Sequence, residues 1–238
     1  MRTRLLQEVL GLVLPVCCAG CGTAEVPWCE GCAEHLRVVG RREDALPRLA
    51  RAEGSPPLPV WTAGSYAGPV RRAVPAWKDG GRADLTDVMV AAVRSAAAQA
   101  AEALAAVEHL RVVPVPSRAA AVRRRGMDLV GALAAGVCAE LGAAPRAAVS
   151  RAVGRYGGRD QVGLGARARG RNATAFRLRH ADADVPHLLV DDVVTTGATL
   201  AACEDVLARA GVLVVGAVAV AATPGITRPA LHPGQEQD

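Results

Sequence analysis

Two adjacent acids, Asp191 and Asp192, close an apolar run in the stretch "HLLVDDVVTTGATL", residues 187–200, and a loop of threonines with one glycine follows them. A strand that turns into a helix favours anions. The first helical turn has unpaired N–H groups and carries the positive end of the helix dipole. Two carboxylates beside such a cradle repel a phosphate unless the two features serve different parts of one ligand. Three readings are open: a plain strand-to-helix turn with solvated acids, an acid pair that binds a metal ion, or a site for a ligand carrying both a phosphate and a sugar. The third reconciles the charges. In it the backbone of Val194, Thr195, Thr196, Gly197, Ala198 and Thr199 holds the phosphate, while Asp191 and Asp192 accept hydrogen bonds from ribose hydroxyls and lie within reach of a Mg²⁺ ion.

A second group with chemistry lies near the N-terminus. In "CCAGCGTAEVPWCEGC" the pairs Cys18-x2-Cys21 and Cys29-x2-Cys32 are separated by seven residues. Each C-x-x-C turn presents two thiolates, and four make the tetrahedral sulfur set that zinc prefers. With no open coordination position such a site is structural. Cys17 competes with Cys18 for the first ligand position, His35 is a reserve, and disulfides are the alternative chemistry for these thiols. Cys138 and Cys203, in apolar stretches, read as small core residues.

Lys78 is the single lysine among 28 basic residues, which excludes a Walker A loop. Its ammonium, near Gly80 and Gly81, suits a point contact with phosphate, and Arg82 is a weaker candidate of the same kind. Residues 151–171 carry Arg151, Arg155, Arg159, Arg167, Arg169 and Arg171 against Asp160. That charge fits a pyrophosphate, a nucleic-acid backbone or a solvated face. "GLGARA" at 163–168 matches a dinucleotide fingerprint only superficially, because it lies in this Arg-rich loop rather than between a strand and a helix.

The elements that must position these groups follow from composition and periodicity. The chain has 238 residues, 51% of them hydrophobic and only 3% aromatic, so its core must be built from Ala, Val and Leu. A net charge of +5 suits anionic ligands without specifying nucleic acid. Residues 1–16 read as an amphipathic helix rather than a leader, and no apolar run reaches membrane-spanning length, so a cytoplasmic location is expected. Strands are expected at 60–66, in "LRVVPVPSR", weakly at 146–149, in the opening stretch, and in "VLVVGAVAVAAT". Helices are expected after Gly68, from an N-cap at Asp84 to about Glu108, over 119–141 with a break near Gly126, and up to about Ala210. Strands alternating with helices imply an α/β fold with a mostly parallel sheet flanked by helices.

Several segments together resemble a known family. "LLVDDVVTTGATL" is similar to the PRPP-binding motif of type I phosphoribosyltransferases. "YAGPVRRAVPAWKDGGRADL", "VVPVPSRAAAVRRRGMDLVGALA", "RDQVGLGARARGRNATAF" and the four cysteines extend the resemblance to the ComF family, over about residues 5–222. The resemblance implies a small N-terminal zinc-binding module, over residues 1–40, and a type I phosphoribosyltransferase-like domain, over 60–224, while composition reads 41–59 as a Pro- and charge-rich linker and 225–238 as a disordered tail. It implies that PRPP binds with Mg²⁺, with Lys78, Ser117, Arg118 and Arg159 on the pyrophosphate side. It also implies phosphoribosyl transfer to an acceptor that the residues do not identify. Two alternatives come with it: a competence protein that contacts single-stranded DNA or DNA-uptake proteins without turnover, and a regulator that senses PRPP. Met127, Asp128 and Leu129 depart from the family's usual Phe-Asn-Gln after "RG".

Overall fold

The computed structural model describes residues 16–42, 49, 56–142, 146–155, 176–180 and 182–224. Residues 1–15 of the expected N-terminal helix, most of the Gly- and Arg-rich segment, and the tail from 225 lie outside the described residues.

Helix α1 (Glu30–Ala33) and a 3-10 turn belong to the cysteine module, and strand β1 (Gly40–Arg41) follows. Then come β2 (Val60–Ser65), α2 (Gly68–Lys78), α3 (Thr86–Ala103), β3 (His109–Pro114), α4 (Ala119–Arg125), α5 (Leu129–Leu141) and β4 (Arg146–Val149). The chain continues through β5 (Val153–Arg155), β6 (Phe176–Leu178), β7 (His187–Val194), α6 (Ala198–Ala208) and β8 (Val214–Ala222). Six strands form one sheet in the order β1-β2-β8-β7-β3-β4, parallel throughout except for the antiparallel edge strand β1. Strands β5 and β6 form a separate antiparallel pair.

Alternation along the strands builds two cores. Leu188, Val190, Val112 and Val218 face α2, α3 and α5, while Leu189, Val113, Ala217 and Ala219 face α6. The scarcity of aromatics is met by close approach. Ala92, Ala96, Ala97 and Ala100 of α3 are buried, and Gly136 of α5 lies against Val90 of α3. Leu49 and Leu58, in the stretch read as linker, are fully buried beside α6. Gly126 adopts φ 71° and separates α4 from α5, as its position in the sequence implies.

Two expectations are corrected. Asp84 does not cap α3: it sits in a 3-10 turn and takes an ion pair from Arg82 at 2.8 Å, and Leu85 is at the N-cap without a side-chain hydrogen bond. The helix also stops at Ala103 rather than near Glu108, because the chain must turn before β3 starts at His109.

At the start of β7, His187 is buried. Its Nδ1 lies 2.8 Å from the Val185 carbonyl, and Nε2 has no hydrogen-bond partner among the described residues. Burial pushes its pKa down. Arg111 and His180 add to this, while the Val185 carbonyl and Asp182 oppose it. A histidine whose folded pKa is depressed contributes stability above its unfolded value of about 6.5 and loses it as pH falls toward the folded value. His187→Leu should therefore flatten the acid-side fall in melting temperature as pH drops below about 6.5. Melts of both proteins across that range check it, and parallel curves would exclude His187 as the titrating group.

Candidate functional site

The chain leaves β3 toward β4 and leaves β7 toward β8, on opposite sides and through helices on opposite faces of the sheet. That divergence opens a crevice at the carboxyl ends of β3 and β7, the place where open parallel sheets bind ligands. Both ends carry residues singled out in the sequence. β7 runs through the acids to Val194 rather than ending at them. Thr195, Thr196 and Gly197 form the turn, and Ala198 and Thr199 open α6.

The strand's alternation gives the acids different neighbours. Asp192 follows Val190 toward α2, where Lys78 Nζ lies 2.6 Å from its Oδ2. Asp191 follows Leu189 toward α6 and the Cys203 thiol. Both carboxyls are buried, and Asp191 Oδ1 accepts the Asp192 N–H at 2.8 Å. Burial, and then the neighbouring Asp192, push the Asp191 carboxyl well above the ordinary carboxylate range. Burial works against the Lys78 charge, but Asp192, Asp191 and Asp79 more than offset it and raise the pKa of the ammonium. Cys203 is itself pushed up by burial and by Asp191, so it is an inert core thiol as expected.

The turn after the acids is built for close approach. Gly197, the N-cap of α6, has φ 77° and no side chain to bond the first-turn amides. The Ala198 N–H has a long contact, 3.4 Å, with Thr196 Oγ1. Thr223, past the end of β8, ties the turn down: its N–H donates to the Val194 carbonyl and its hydroxyl to that of Thr195.

Across the crevice, the Val115 N–H donates to the Val190 carbonyl, which carries the chain into Ser117 and Arg118. Arg118 is exposed at the N-cap of α4. Arg155, at the end of β5, completes the group. Its guanidinium lies 5.0 Å from the Phe176 ring centroid, and burial and Arg118 lower its pKa while Asp191 favours its charge. In the sequence Arg155 is one arginine among six, and only the pairing of β5 with β6 singles it out. Arg159 lies outside the described residues.

The departing residues Met127, Asp128 and Leu129 have structural roles. Asp128 accepts the Gly131 N–H as the N-cap of α5 and pairs with Arg151 at 2.8 Å. Leu129 is buried in the core, and Met127 Sδ lies 4.0 Å from Thr86 Oγ1.

The thiols of Cys18, Cys21, Cys29 and Cys32 lie within 4.8 Å of one another, close enough to bind one metal ion. Sulfurs about 2.3 Å from a tetrahedral zinc are about 3.8 Å apart, and the Cys21–Cys29 separation of 3.5 Å is near that spacing. Burial raises the Cys18 pKa, but the N–H groups of Cys29, Cys21 and Gly20 outweigh it and pull the thiol down to about 6. Cys32 is pushed up by burial and by its three companions. One thiolate forms readily and a fourth is resisted, an imbalance that a divalent cation removes. Cys18, not Cys17, belongs to the cluster. Among the described residues no helix is long and apolar enough to cross a membrane. No family model matches the chain, and no curated protein matches it either.

Proposed function

We propose that this chain is a ComF-like protein whose α/β domain, of the type I phosphoribosyltransferase kind, binds PRPP and transfers its phosphoribosyl group to an acceptor. The observation that carries this reading is the placement of Asp191, Asp192 and an uncapped helix turn in one crevice beside Lys78. The acids accept hydrogen bonds from the ribose hydroxyls, and the amides of Thr195 to Thr199 take the 5′-phosphate. Ser117, Arg118 and Arg155 meet the pyrophosphate. The acceptor's nucleophile forms a bond to C1 while the C1–O bond to pyrophosphate breaks and its electron pair leaves with that group. Positioning and charge stabilisation then suffice for catalysis, without a protein nucleophile.

Mg²⁺, bound with the ligand, supplies neutralisation of the pyrophosphate charge. Because Lys78 already pairs with Asp192, the residues fit a cation that arrives with the ligand rather than one resident beforehand. Cys18, Cys21, Cys29 and Cys32 would hold zinc, which supplies a structural crosslink for a module too small to build a core.

Calorimetric titration of PRPP with Mg²⁺ into the metal-loaded full chain tests the reading. Binding is expected, and is expected to be lost in Asp191→Asn/Asp192→Asn. A folded parent that binds no PRPP would overturn it and leave single-stranded DNA or a protein partner as the ligand to pursue.

A further inference from the structure

The cysteine module grips α2, the helix that carries Lys78, from both ends. Near the helix start, Gly20 sits so close to Pro69 that a Cβ would collide with it, and Arg72 Nε donates to the Gly20 carbonyl. Past its end, Arg82 reaches back into the module. Its Nη1 donates to the Cys17 carbonyl at 3.0 Å and its Nη2 to the Pro27 carbonyl at 3.3 Å. Asp84 fixes the same guanidinium through Nε at 2.9 Å and Nη2 at 2.8 Å. The Cys17 carbonyl precedes Cys18, and Pro27 lies two residues before Cys29, so Arg82 reads the positions of both halves of the thiol cluster.

The segment between Arg82 and Lys78 has little slack. Gly81 holds φ 73°, and Gly80 packs on the backbone of Ala76. The Arg82 N–H donates to the Ala76 carbonyl, and Arg125 Nη1 donates to the Lys78 carbonyl at 3.1 Å. A displacement of Arg82 therefore reaches Lys78 within one short turn.

We propose that Arg82 is a positioning residue, a strut through which the metal-filled cysteine module holds Lys78 against Asp192. Loss of the metal frees the Cys17 and Pro27 carbonyls, the strut loses its seat, and the Lys78–Asp192 pair opens. This rests on the ribose-phosphate reading only for what the pair serves. The pairing itself can be measured without PRPP.

Lys78 is the chain's only lysine, so a single ε-amine reports the pair. The metal-loaded full chain and Arg82→Gln would be pulse-acylated with acetic anhydride and Lys78 occupancy read by mass spectrometry. Arg82→Gln is expected to keep its metal and acylate Lys78 roughly fivefold faster or more, because the amine spends more time unpaired. Equal rates at equal metal content overturn the proposal. A graded chelation of the parent gives a second measure that does not depend on the variant folding. Lys78 reactivity is expected to rise with metal loss before the far-UV ellipticity changes, and a rise only together with global unfolding overturns the proposal. Where the parent binds PRPP, Arg82→Gln should bind it more weakly. A parent that binds none defeats the functional reading and leaves the acylation result to decide the strut.

Discussion

Asp191→Asn is expected to melt above the parent and Asp192→Asn below it, although both bind PRPP more weakly. Asp191 is buried with its carboxyl pKa well above the ordinary range, so at neutral pH its charged form opposes folding. The sign is the reverse of the usual carboxylate. With the folded value raised, the contribution is most favourable below the unfolded value of about 3.9 and is lost as pH rises. The melting gap between Asp191→Asn and the parent should therefore open as pH climbs above about 4 and be present at neutral pH.

Asp192→Asn instead strands a half-buried ammonium. Breaking a fully buried pair costs about 3–5 kcal/mol, but Lys78 keeps 35% of its side chain exposed, so about 1–2 kcal/mol is expected. In the proposed PRPP complex each substitution weakens a hydrogen bond to a ribose hydroxyl, a loss of about 1.5–3 kcal/mol, or roughly 10- to 150-fold in affinity. Thermal melts beside calorimetry separate the two effects. A variant that is more stable and yet binds more weakly has lost a ligand contact rather than a fold. If Asp191→Asn melts below the parent, Asp191 is not held against its charge.

Gly197→Ala should destabilise by about 2–5 kcal/mol, from two independent sources. The residue sits at φ 77°, where an L side chain is strained by about 1–2 kcal/mol. The new Cβ would also stand 2.7 Å from Leu49 Cγ, and overpacking of that kind costs about 1–3 kcal/mol. Leu49→Ala relieves the second source and leaves the first, so urea unfolding of the double variant should show less than the sum of the single effects. Strict additivity would mean that Leu49 does not press on the turn.

Particular residues show what the sequence made legible. The near-continuous apolar runs around Leu188 and Val218 announce buried parallel strands because both faces of such strands are covered. The two C-x-x-C pairs announce a four-thiol cluster, close enough to bind one metal ion, because their spacing is local. Gly126 announces a helix break for the same reason. What stayed hidden depends on distant partners. Lys78 reads as a phosphate contact until the fold sets it against Asp192, 114 residues away. Leu49 is one apolar residue in a charged stretch, and no periodicity marks it as core. Asp84 has the chemistry of an N-cap, but Arg82 two residues earlier is a stronger claimant for its carboxylate.

The strand order also sets when the domain can fold. β8, the last strand of the sheet to leave the ribosome, inserts between β7 and β2, near the centre. Until about residue 222 has emerged, β2 and its buried Trp61 have no parallel neighbour, and the Val60–Ala217 pairing must span most of the chain. Contacts of such long sequence separation are slow to form and leave apolar edges open in the meantime. The cysteine module, whose ligands fall within fifteen residues, Cys18 to Cys32, has no such wait. On a nascent chain the four thiols can therefore come together long before the sheet that the module braces exists.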